Sequence, residues 1–399
     1  MTLERPERPA YDVVIVGGAI MGSAAAWFLT DLGFNGTILV IERDTSFANC
    51  ATAHSTSCIR QQFSTALNVR ISQFGADFIE SMPDRMGTQD VPQLAIRNFG
   101  YLYLADSEGF AQELRQRQRI QTAEGAATRL LAPAEIAAEY PFYALGDIVL
   151  GSINTDREGY FDSMAVFDAL RRQAQKRGAV YIQNEVVGMA AQAGRVESVT
   201  LASGEVIGCG AVVNATGPRA AQTAAMAGIA VPVEPRKRCS WIFRAETPLP
   251  RDLPLTIDPS GLHVRENGGG TYQAGGHFGD DRVEGYDDFA MDHGLWENEV
   301  WPRLARRIPQ FEAIRLTHSW CGHYEMNVVD HNAILGPHPD IGNFLFMNGF
   351  SGHGLQQAPA MGRGVAEWQC YGGYQTLDLS AFHFDRLAGA AAPAEAAVI

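Results

Sequence analysis

The chain has 399 residues, 46% hydrophobic and 19% charged, and carries a formal net charge of −14. That is ample apolar material and more length than one ordinary core serves, so two domains are expected. The acidic balance argues against non-specific binding to nucleic acid or anionic membrane, because both polyanions would repel it.

No run approaches the ~18–20 continuous apolar residues that span a bilayer, and "MTLERPERPA" lacks the apolar centre of a secretory signal. Six cysteines without a CxxC pair suggest neither a disulfide framework nor a metal site, and a reduced cytoplasmic setting is expected.

The first predicted elements are a strand in "YDVVIVGG", a helix in "AIMGSAAAWFLTDLG" closed by Gly33, and a second strand in "GTILVIERD". Residues 11–44 thus form one βαβ unit. Its turn, Gly17-Gly18-Ala19-Ile20-Met21-Gly22, has the spacing of a dinucleotide-binding turn with alanine in the middle glycine's slot. There the first glycine permits the tight turn, the second lets backbone approach a pyrophosphate, and the third packs helix on strand. Ala19 adds one methyl at the approach point, which a small shift absorbs. Glu42, with Arg43 beside it, ends the second strand where a carboxylate binds ribose hydroxyls.

Residues 65–82 predict an amphipathic helix that stops before Pro83. The strand "GYLYLAD" and the helix "GFAQELRQRQRIQTAEG" follow, then a helix over 163–178. Strands come next at "AVYIQN", "EVVGMAA", "RVESVTLAS" and "AVVNATG". After Pro232 the segments "RCSWIFRAE", "GLHVREN" and "GTYQAGGHFG" suit an antiparallel sheet. The "RKR" run at 236–238, set before a strand in an acidic chain, reads as domain-interface ion pairs. The tail alternates in "NAILGPHPDIGNFLFMNGFSGHG" before the helical "LQQAPAMGRGVAEWQ", and the low-complexity residues 387–399 are expected to fray.

Two distant segments favour FAD over NAD: "AVVNATGPRA", which ends a strand in Ala215-Thr216-Gly217, and the glycine-rich "NGFSGHGLQQAP" opening the last helix. With "IRQQFS", "EPRKR" and "DHNAILGPHP", they run in one order along nearly the whole chain. In these motifs the sequence resembles the D-amino-acid oxidase/sarcosine oxidase-like FAD-dependent oxidoreductases. The nearest branch includes a mitochondrial FAD-dependent oxidoreductase-domain protein and bacterial iminodiacetate and sarcosine-type enzymes.

The resemblance implies an α/β, Rossmann-like, doubly wound FAD-binding domain over 1–92, 154–230 and 325–399. An α+β substrate domain with a mostly antiparallel sheet is inserted over 93–153 and 231–324. FAD would be non-covalent, with His54 a candidate for covalent attachment and Cys321 a weaker one. Besides the turn, Glu42 and Arg43, the resemblance assigns Val186 to adenine and Ala215, Thr216 and Gly217 to the second strand end. His54, Ser55, Thr56 and Ser57 would cradle one side of the flavin. Gly352, His353, Gly354, Leu355 and Gln356 would cradle the other, the helix dipole favouring the anionic reduced ring.

The implied reaction oxidises a C–N bond of a carboxylated amine, an N-substituted glycine, other secondary amine or D-amino acid, by hydride transfer to flavin N5. Arg60 would clamp the carboxylate, and His277, His323, Tyr324, His353 and Gln356 are the remaining catalytic candidates. Alternatives are a non-catalytic flavin-binding assembly or scaffold protein and an FAD-dependent 2-hydroxy-acid oxidoreductase. Partners would be the small substrate and oxygen or an electron carrier. Two lysines of sarcosine oxidases, one binding substrate and one activating oxygen, correspond here to Gln356 and Gln273. The expectation is therefore either slow reoxidation by oxygen, as in a dehydrogenase, or a protonated His277 or His323 in the lysine's place, whose charge fades as pH rises from about 6 to 8.

Overall fold

The computed structural model describes residues 3–88, 90–389 and 394–397. β1 (Ala10–Val16), α1 (Ile20–Asp31) and β2 (Ile38–Glu42) form the expected βαβ unit. Val13, Val14 and Ile15 are all fully buried, as a central parallel strand covered on both faces requires. β1 pairs in parallel with β2 and with Val206–Asn214, which pairs in parallel with Phe344–Asn348. Val180–Gln183 extends the sheet beyond β2, and Ile334–Pro337 closes its other edge antiparallel. The result is a doubly wound sheet of the Rossmann type.

α1 lies against the C-terminal helix Gly354–Tyr371. A Cβ on Gly362 would sit 2.6 Å from that of Ala24, so only a glycine–alanine contact lets these helices approach so closely. That contact brings both helix N-termini to the same end of the sheet.

The second sheet has eight strands, all antiparallel neighbours except Leu255–Ile257 beside Tyr101–Ala105. One face carries Trp241, Phe243, Tyr272, Leu102 and Val264 into a core with Phe311 and Leu304. Alternation puts Tyr101, Tyr103, His263, Arg265 and Gln273 on the opposite face, where Tyr101 and Tyr103 cluster with Cys58 and Leu255. This face borders the site.

The structure departs from the sequence reading in four places. Pro83 opens a second short helix, Met82–Met86, since a first-turn proline forfeits no helical hydrogen bond. The "RKR" run lies within the strand Val233–Ala245, where Arg236 pairs with Glu234, Lys237 with Glu284 and Asp288, and Arg238 with Asp281. Cys239 and Cys321 are disulfide-bonded, 82 residues apart in sequence but directly opposite in the pairing of Val233–Ala245 with Ile314–Asn327. Cys321 is therefore not free to bond a flavin, and spacing carried no sign of the pair.

The fourth departure is the tail, where residues 394–397 are packed. Glu395 is wholly buried and its carboxylate accepts from the Ser64 amide at 2.9 Å, the Ser64 hydroxyl at 2.7 Å and Asn68 Nδ2 at 2.9 Å.

Candidate active site

The turn after β1 forms one end of a cleft. Gly17 has φ +98°, and a Cβ there would meet the Ala215 carbonyl oxygen at 2.4 Å. A Cβ on Gly22 would lie 1.9 Å from the Gly17 oxygen. Both glycines are sterically obligatory. Ala19 is not forced to be glycine: as the residue preceding α1 it has φ −68° and ψ −162°, ordinary extended backbone for any L-residue.

The cleft wall includes Gly17, Ala19, Ile20, Met21, Glu42 and Arg43 at this end, with Ala215, Thr216 and Gly217 beside them. Gly18 and Gly22, in the same turn, are not among its lining residues. Glu42 accepts from the Gly18 amide at 2.8 Å and the Asp44 amide at 2.9 Å, and burial raises its pKa. Asp287 bridges Arg43 and Arg219 at 3.1 and 2.7 Å, joining the loop that carries Tyr286 and Phe289 to the cleft mouth.

Further along, the wall is made by His54, Ser55, Thr56, His323, Tyr324, Gly352, Gly354 and Leu355. Gly352 has φ +89° and lies under the Tyr324 ring, which a Cβ would strike at 2.4 Å. Gly322 likewise admits His54, whose Nδ1 is buried without a partner among the described residues. His323 Nε2 donates to the Asp288 carbonyl at 2.9 Å. Burial lowers the pKa of His323 and of His54, and His323 lowers that of His54 further. His323 is thus a poor cation at neutral pH, which leaves the slow-reoxidation alternative standing. The fixed positive charge in this wall is Arg238, 5.0 Å over the Tyr324 ring and paired with Asp281.

A smaller inner pocket shares Ser55, Thr56, His263, Tyr324, Gly352 and Leu355 with the cleft, and adds Arg60, Tyr101, His353 and Gln356. Arg60 is 4% exposed and makes no ion pair among the described residues. Its Nη2 donates to His353 Nε2 at 3.0 Å, which makes His353 the neutral Nδ1–H tautomer. Burial and the Arg60 charge hold the His353 pKa well below the usual value. Gln356 accepts from the Arg60 backbone amide at 2.7 Å, so its side chain positions Arg60.

Besides Gly18 and Gly22, three of the residues singled out from sequence line neither cavity. His277 lines neither cavity; it lies 3.6 Å from Asp281. Val186, assigned to adenine through its backbone, buries its side chain in a core with Leu39, Ile41 and Ile182. Ser57 turns its hydroxyl to Ser163 at 2.7 Å.

Sequence reasoning missed His263, Arg238 and Glu325. His263 lines both cavities, and burial together with Arg265, Arg238 and Arg60 lowers its pKa to about 4. The signal was present: in "LHVRENG" the polar His263 and Arg265 alternate with Leu262 and Val264. Glu325 lines the cleft, accepts from the Gly349 amide at 2.9 Å, and is pushed by burial up to about 8. Its strand, Ile314–Asn327, gave no clear pattern in sequence and crosses position 325, where the inserted segment was expected to end.

These residues fit FAD. α1 and Gly354–Tyr371 both begin at the cleft with no cap from the preceding side chain and no acid in the first turn, so the helix ends favour anionic groups, although the Ile20 amide already donates to Thr52 Oγ1 at 3.4 Å. Glycines clear the approach at each end, and Glu42 stands where a ribose would need an acceptor.

Comparison with known proteins agrees. Residues 12–368 match the DAO family model, described as FAD dependent oxidoreductase. The chain is similar to FAD-dependent oxidoreductase domain-containing protein 1 of Bos taurus, 35% identical over 96% of this chain and 85% of that one. Sarcosine oxidase subunit beta of Rhizobium meliloti is 26% identical over 98% and 87%. Among solved structures, L-proline dehydrogenase from P. horikoshii superposes with a TM-score of 0.82 at 25% identity, over 95% of this chain and 98% of that one. With its glycine turns, its two helix N-termini at the cleft and this match, the chain belongs to the DAO family of FAD-dependent oxidoreductases, enzymes whose cofactor is FAD.

Proposed function

We propose that this enzyme oxidises the C–N bond of a carboxylated amine or amino acid. The observation that carries the reading is Arg60: a buried guanidinium, without an ion pair among the described residues, in the wall of a pocket that shares six residues with the cofactor cleft. Glu158 and Glu395 act on its charge, but neither pairs with it. A buried cation of this kind gains most from an anionic ligand.

Bound FAD supplies the hydride-accepting atom. The chain's own residues do the rest. Arg60 binds the carboxylate, and Gln356 and Ser72 hold the Arg60 backbone in place. Tyr101, Tyr324 and Leu255 exclude water around the amine. Hydride leaves carbon readily only when the neighbouring nitrogen is neutral. The charges of Arg60, Arg238 and Arg265, which together act on His263, disfavour the ammonium form there. His263 remains neutral and is placed to accept a hydrogen bond from the amine.

An anaerobic screen of N-substituted glycines, D- and L-amino acids and 2-hydroxy acids tests the reading, with loss of visible flavin absorbance as the readout. Bleaching by a carboxylated amine and not by its amide is expected. Bleaching only by hydroxy acids, or by nothing in the set, would overturn it.

A further inference from the structure

Arg60 is engaged by the chain itself. Its Nη2 donates to the carbonyl of Ala397, as well as to His353 Nε2. Nη2 belongs to both hydrogen-bonding forks of the guanidinium, one shared with Nε and one with Nη1. While it is held this way, neither fork is free for a bidentate carboxylate. Arg60 Nε, meanwhile, is buried with no partner among the described residues.

Residues 394–397 are built as an anchor and a tip. Glu395 is the anchor: its carboxylate takes the Ser64 and Asn68 donors, and its amide donates to the Asp330 carbonyl at 2.9 Å. Ala396 adds a bond from its amide to Ser64 Oγ at 3.0 Å. Ala397, the tip, offers Arg60 a neutral carbonyl, and its methyl side chain fills little space. A carboxylate brings a full negative charge and can take two parallel bonds from the guanidinium, where a single carbonyl oxygen brings neither.

We infer that residues 394–397 are a specificity gate, in which the Ala397 carbonyl occupies Arg60 until a carboxylate displaces it. The inference rests on the reading of Arg60 as the carboxylate site. A neutral amine cannot displace the carbonyl, so the gate excludes substrates that lack the anion. Its cost is a weaker apparent affinity for every carboxylate, in proportion to the fraction of molecules with Arg60 held.

The test uses the FAD-bound enzyme, with acetate and acetamide as probes and the flavin absorbance change as readout. Glu395→Ala removes the anchor and should bind acetate about tenfold more tightly than Glu395→Gln, which loses the same charge on Arg60 but keeps an oxygen for the Ser64 donors, as when the open form rises from a tenth of the population to nearly all of it; acetamide binding should not change. Arg60→Ala should lose acetate binding. If Arg60→Ala loses acetate but Glu395→Ala binds it no better than Glu395→Gln, the segment is a fixed wall: the gate is overturned and the carboxylate site stands. If Arg60→Ala binds acetate normally, the carboxylate site falls and the gate with it. Should Glu395→Ala fail to retain FAD, amide hydrogen exchange on the unmutated enzyme decides. Acetate should speed exchange in 394–397, and slower exchange there would overturn the gate.

Discussion

The turn at residues 17–22 and the pocket around Arg60 border one cleft system but are made of different material. The turn is six consecutive residues, and what it offers a ligand is backbone, with glycines at 17 and 22 where any Cβ would collide. The pocket is side chains from residues 55–60, 101, 255–263, 324 and 351–356, with residues 394–397 behind Arg60, and what it offers is charge. The turn therefore tolerates a changed side chain that leaves its dihedrals legal, as at Ala19, and fails at a single methyl elsewhere. The pocket, Gly352 apart, should fail chiefly when a charge is removed.

Gly22→Ala should give the largest effect. Its Cβ would sit 1.9 Å from the Gly17 backbone oxygen, which cannot move without breaking the turn. Purified protein should lose nearly all its flavin absorbance after gel filtration, whereas Ala19→Gly should keep it. FAD retention by Gly22→Ala equal to the parent's would break the contrast.

Arg60→Ala comes next. A hydrogen bond to a charged group is worth about 1.5–3 kcal/mol net, so KM for a carboxylated amine should rise on the order of 10- to 100-fold. KM for the corresponding amide should hardly move. An equal rise for both would mean that Arg60 serves the fold or the flavin.

Glu42→Ala separates the two regions by chemistry, because this carboxylate belongs to the turn's end of the cleft. The dissociation constant for FAD should rise about tenfold, the worth of one such bond. KM for the amine, measured with saturating FAD, should stay unchanged. A changed KM would tie Glu42 to the pocket.

Glu325 sharpens the comparison through pH. Burial lifts its pKa from 4.5 to about 8, so the folded chain holds this proton more tightly than the unfolded chain does. Its contribution to stability is full below pH 4.5 and falls as pH rises towards about 8. Glu325→Gln mimics the protonated acid. Its melting temperature should match the parent's at pH 5 and exceed it at pH 8, the gap opening across that window. Parallel melting curves would show that Glu325 titrates as an ordinary exposed acid. Glu158, also buried and raised to about 8, contributes the same trend to both proteins and cancels in the difference.

The βαβ unit, its two obligatory glycines, Glu42 and the glycine-rich loop before Gly354 were legible in the amino-acid sequence. Each depends on neighbours within a few residues, through alternation, β-branched runs and steric demands that the residue type alone reveals. Even the tolerance for Ala19 follows from that local logic once its dihedrals are known. Tertiary structure alone decided what faces Arg60. His353 is 293 residues away along the chain and Ala397 is 337, and no spacing rule links positions so far apart. The same holds for the Cys239–Cys321 bond, which depends on strand register, and for His277, which follows the strand Thr271–Gly276 and lines neither cavity. Local sterics act along the chain and can be read there; charge and register act through space, and they exist only once the two sheets have packed.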